Sequence, residues 1–65
     1  MEILLNNKKY TIKNTCTVSH LLRRIGQKKE VAVFVNGRAL KYSEYDTTYL
    51  SEQDEVRIFR PLGGG

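Results

Sequence analysis

One stretch of this chain pairs a helical repeat with a capping residue at either end. Val18, Leu21, Leu22 and Ile25 fall at the spacing of a single helix face, Thr17 stands where it can cap the start, and Gly26 stands where it can close the end. A helix of two turns is marginal in water and persists only when its apolar stripe is buried against another surface. In a chain of 65 residues that surface has to be built from what remains.

What remains alternates with the period of a strand. In "MEILL", Ile3 and Leu5 share a side, and in "KYTI", Tyr10 and Ile12 do. Asn6 and Asn7 lie between them and tolerate the torsions of a tight turn, which predicts a hairpin. "VAVFV" is rich in β-branched residues, and the "NG" after it predicts a second hairpin into "RAL". "KYSEYDTTYL" spaces Tyr42, Tyr45 and Tyr49 at helix-like intervals, but Thr47 and Thr48 are poor helix formers. We expect one irregular turn there, which buries Leu50 and leaves the tyrosine hydroxyls in water. In "EVRIF", Val56 and Ile58 point one way and Arg57 and Phe59 the other, and Pro61 ends the strand.

The order strand, strand, helix, strand, short strand, strand predicts an α+β fold of the β-grasp type. One main helix crosses one face of a mixed sheet of four to five strands. The expected core is Ile3, Leu5, Ile12, Leu21, Leu22, Ile25, Val33, Val35, Val56 and Ile58. Residues 1–60 form the domain, and residues 61–65 form a flexible glycine tail that adds nothing to a core.

Composition narrows the function. One cysteine, Cys16, excludes an internal disulfide and a cysteine-built zinc site, which fits a reduced, cytoplasmic chain. Cys16 reads as a small, partly buried apolar residue, and His20 as a surface histidine. No apolar run approaches the roughly 20 residues of a membrane span. The net charge of +4 comes from basic pairs spread along the chain, without the aromatic-interleaved stripe of a nucleic-acid surface. No glycine-rich phosphate loop or serine, histidine and acid set is present, so an enzyme acting alone is not expected. The chain is expected to bind no cofactor or metal of its own and to be a monomer when free.

"RPLGGG" closes the sequence. Five residues from Pro61 extend at most ~3.3–3.6 Å each, a reach of about 17 Å beyond the last strand. Glycines leave no Cβ to block a narrow channel. Together with "TVSHLLRRI", "VFVNGRAL", Tyr45 and "QDEVRIF", this tail resembles the ubiquitin-like sulfur carriers, most closely those of thiamine biosynthesis, over the whole chain. Lys41 and Tyr42 replace an expected Pro-Arg, and Gln53 replaces a glycine before Asp54. The resemblance implies that a ThiF-type enzyme uses ATP to adenylate the carboxylate of Gly65. Sulfur from a donor protein then leaves a thiocarboxylate, which a ThiG-type thiazole synthase consumes. Gly63 and Gly64 would serve as the slim part of the tail. A molybdopterin-type sulfur carrier, a ubiquitin-like protein modifier and a nucleic-acid or scaffold binding module are the alternatives.

Strand parity puts Leu4, Ala32, Phe34 and Phe59 opposite the core-facing set, and apolar residues gathered there suggest a partner surface. Arg57 and Arg60 flank Phe59 in the chain and are the leading basic candidates for an acidic partner.

Overall fold

The computed structural model describes residues 1–28 and 30–60. Glu2–Leu5 (β1) and Lys8–Thr11 (β2) pair antiparallel. Asn6 and Asn7 between them take φ of 50° and 69°. Two successive positive-φ residues make the turn whose twist matches that of the flanking strands, and asparagine tolerates the left-handed region better than most residues. Ala32–Val35 (β3) and Arg38–Ala39 (β4) form the second hairpin through Asn36 and Gly37, at φ of 52° and 83°. Both expected hairpins are present.

The helix runs Val18–Arg24 (α1), and Oγ1 of Thr17 accepts from the His20 amide at 3.2 Å. Gly26 follows at φ 76°, with its amide donating to Arg23 O at 3.2 Å and the Gln27 amide donating to Leu22 O at 2.8 Å. This is the paired bonding of a Schellman stop. Two further amides at the helix start are satisfied from outside: Val18 N donates to Thr48 O and Ser19 N to Tyr45 O, both at 3.0 Å. The irregular stretch after β4, which includes a 3₁₀ turn at Tyr42–Glu44, therefore closes over the start of α1.

Glu55–Phe59 (β5) takes the middle of a five-stranded sheet ordered β2-β1-β5-β3-β4. It runs parallel to β1 and antiparallel to β3. The mixed sheet with one main helix is the β-grasp arrangement expected above, and β2 and β4 are its edges.

Ile3, Ile12, Leu21, Leu22, Val33, Leu50 and Val56 are buried as expected, but Leu5, Ile25, Val35 and Ile58 are only partly buried. Leu5 and Val35 sit on either side of Val56 in one row, and a helix about 10 Å long covers the middle of that row better than its flanks. Ile25 is the C-terminal cap of α1, where the stripe runs out. Val18 of α1, together with Val31, Leu40 and Tyr45 from the connections, completes the core. Tyr45 corrects the expectation for the tyrosines. It is 2% exposed and its hydroxyl donates to Val31 O at 2.8 Å, whereas Tyr42 and Tyr49 are exposed.

Candidate functional site

β5 is flanked unequally along its length. On the β3 side the register runs from Val35 opposite Val56 to Ala32 opposite Phe59. On the β1 side it holds only at Leu4 opposite Glu55 and Leu5 opposite Val56, because β1 then turns away at Asn6. The Asn6 amide N–H donates to Val56 O at 2.9 Å. Its side chain goes further along β5: Oδ1 accepts from the Ile58 amide at 2.8 Å, and Nδ2 donates to Ile58 O at 3.4 Å. Neither contact was foreseen from the sequence, which marked Asn6 only as a turn residue.

The sheet face away from α1 carries the expected apolar residues, not all together. Phe34 and Phe59 meet edge to face with ring centroids 5.6 Å apart, the geometry favoured by ring quadrupoles. Arg57 lies opposite Phe34 in the register, and exposed Ala32 lies opposite Phe59. Phe59 is 50% exposed, although a ring of that size is usually covered. Leu4, half-buried, sits across from Glu55 at the start of β5, apart from the aromatic pair. Arg60 parts company with Arg57. It lines a hollow with Gly26, Gln27, Lys28 and Glu30 beside the end of α1. Strand alternation accounts for this, since Arg60 continues the parity of Val56 and Ile58. The expectations for Gly63, Gly64 and Gly65, and for the tail as a whole, lie outside the described residues.

Cys16 precedes α1, and its carbonyl accepts from the Leu50 amide at 2.9 Å. It is half-buried, as expected, and burial pushes its thiol above its ordinary pKa while Arg24 pulls the other way. A thiol held in its neutral form is a poor nucleophile. His20 is exposed. Among the described residues no three His, Cys, Asp or Glu side chains are grouped to hold a metal.

Residues 3–65 match the model of the ThiS family. The chain belongs to that family. It is 29% identical to a thiamine biosynthesis protein (ThiS) from Geobacter metallireducens seen in a crystal structure, with a TM-score of 0.87 and full coverage of both chains. A solution structure of a thiamine biosynthesis protein from the same organism gives 29% identity and a TM-score of 0.81, covering 100% of this chain and 88% of that one. No match was found among curated protein sequences.

Both departures of this ThiS-family chain from the expected pattern have a place in the fold. Gln53, standing for a glycine, holds φ at 65° in the left-handed region, where a side chain is a strain. Lys41 precedes the 3₁₀ turn, and its amide donates to Glu44 Oε1 at 2.7 Å. An amide donor is what proline lacks, so the replacement brings a local bond in exchange for stiffness.

Proposed function

We propose that this chain is a sulfur carrier of thiamine biosynthesis, a protein cosubstrate and not itself an enzyme, which works through the carboxylate of Gly65. The observation that carries the reading is the coincidence of ThiS-family membership, matched through residue 65, with a central strand that ends at Phe59, just before the glycine segment. A C-terminal carboxyl has a pKa of about 3.3–3.7 and is ionised at neutral pH. One carboxylate oxygen attacks the α-phosphorus of ATP held by a ThiF-type enzyme, and pyrophosphate leaves. The sulfane sulfur of a donor persulfide then attacks the acyl carbon and expels AMP. A thiol cleaves the resulting S–S bond, and the thiocarboxylate on Gly65 is the sulfur source for a ThiG-type thiazole synthase.

The folded body supplies the docking face. Phe34, Phe59 and Arg57 form its centre, an apolar pair beside a cation, which is the composition of a binding hot spot. Leu4 lies at its margin, and Arg60 meets the partner from the helix side at the base of the tail. Among the described residues no helix is long and apolar enough to cross a membrane. We place the carrier in the cytoplasm as a monomer between encounters.

Intact-mass measurement after incubation with the ThiF-type enzyme, ATP and a persulfide donor tests the chemistry. The expected product gains the mass of one oxygen-to-sulfur exchange, located at Gly65. Isopeptide conjugates to lysines, or an unchanged mass, would refute it. Phe59→Asp tests the docking face: affinity for the adenylating enzyme should drop more than tenfold, about 1.4 kcal/mol or more, with little change in Tm. A large loss of stability with unchanged affinity per folded molecule would assign Phe59 to the core instead.

A further inference from the structure

Asn6 replaces, with its side chain, a piece of backbone that the fold has removed. The parallel ladder between β1 and β5 proceeds from Leu4 N donating to Asp54 O to Asn6 N donating to Val56 O, both at 2.9 Å. The next rungs of a continuing β1 would offer a carbonyl to the Ile58 amide and an amide to the Ile58 carbonyl. The backbone cannot offer them, because Asn6 at φ 50° has already left the strand. Its carboxamide does so instead, with Oδ1 on Ile58 N at 2.8 Å and Nδ2 on Ile58 O at 3.4 Å. A carboxamide carries the acceptor and donor of a peptide unit, so it is suited to this substitution.

We propose that Asn6 is a positioning residue that fixes the last rungs of β5. It holds Phe59 in the docking face and sets where the tail leaves the domain. This rests on the carrier function proposed above. Without the clamp, β5 is held beyond Val56 by β3 alone, and the segment from Ile58 frays. Phe59 would then have to be ordered at each encounter, and the tether between docking face and Gly65 would lengthen. Both changes lower the effective concentration of the carboxylate in the partner's site, so the cost falls on productive docking and not on the chemical step.

Asn6→Gly keeps the turn, since glycine accepts positive φ freely, and removes only the carboxamide. Hydrogen exchange at the Ile58 amide should accelerate roughly tenfold or more, while the amides of Ile3 and Val33 stay at the parent rate. The KM of the adenylating enzyme for the carrier should rise roughly fivefold to tenfold with kcat within about twofold. Asn6→Asp keeps an acceptor for the Ile58 amide and loses the donor, so it should recover part of both effects. Asn7→Gly, in the same turn, should behave as the parent. Unchanged exchange at Ile58, faster exchange with unchanged KM, or an equal effect of Asn7→Gly would each overturn the proposal. If the parent chain is not adenylated at all, the carrier function falls and the positioning role with it. Exchange at Ile58 still reads the clamp itself.

Discussion

Two turns of the same type grip the two ends of β5, and they grip differently. At the start, Asn36 gives its amide to Glu55 O at 2.7 Å, accepts the Glu55 amide on Oδ1 at 2.9 Å, and donates from Nδ2 to Asp54 Oδ1 at 3.0 Å. Asp54 in turn accepts the Ser51 amide at 2.7 Å, so the clamp is braced by a second loop. At the exit, the contacts of Asn6 with β5 go to Val56 and Ile58 alone. The same residue in the same conformation builds a cross-braced joint at one end and a single strap at the other. The start of the strand is thus braced through a second loop, and its exit is held by the carboxamide of one residue.

The sharpest way to separate the two ends is to lengthen the tail. One alanine added after Gly65 keeps a carboxylate but moves the acyl carbon by a residue. Pyrophosphate exchange with the adenylating enzyme should fall roughly a hundredfold or more, about 2.7 kcal/mol in the barrier. Tm should not change.

Tyr45→Phe probes the support beneath the exit end, since Val31 immediately precedes the β3 residue that faces Phe59. The Val31 carbonyl would lose its buried donor, and urea unfolding should show a loss of about 1–3 kcal/mol. Burial also raises the phenol above its ordinary value of 10.0. The neutral hydroxyl is therefore favoured in the folded state, and the stability it contributes is complete below the unfolded pKa and is lost as pH climbs through the raised one. As pH rises above the ordinary value of 10.0, the parent should lose stability that the Phe variant keeps, as read from Tm.

The braced end should respond in the opposite sense to the tail. Asn36→Gly preserves the turn and removes the side-chain bonds to Asp54 and Glu55, at a cost of about 1 kcal/mol in urea. Adenylation per folded molecule should be unchanged. The smallest effect is a gain: Gln53→Gly relieves the left-handed strain and should stabilise by about 0.5 kcal/mol, after allowance for glycine's extra freedom when unfolded.

The strands, both hairpins and the caps of α1 were legible because each rests on local chemistry: alternation, Asn at positive φ, Thr17 before the helix and Gly26 after it. The outer face followed from parity alone, and Phe34 and Phe59 do meet there. Tyr45 was not legible, because a tyrosine in an irregular segment reveals neither its burial nor the carbonyl its hydroxyl will find. Arg60 was read by its nearness to Phe59 in the chain, although alternation sends neighbours to opposite faces. The Asn6 clamp was hidden for another reason. It depends on β1 stopping earlier than β5, a mismatch between strands some 50 residues apart that appears only when the two are laid side by side.

The edges of the sheet bear on how the molecule survives at high concentration. β2 offers an open row of backbone groups, yet it carries Lys8 and Lys9, and β4 at the other margin is only two residues long and begins with Arg38. Charged or very short margins discourage strand-to-strand aggregation between copies. Cations at both borders make each molecule a poor template for strand pairing with the next.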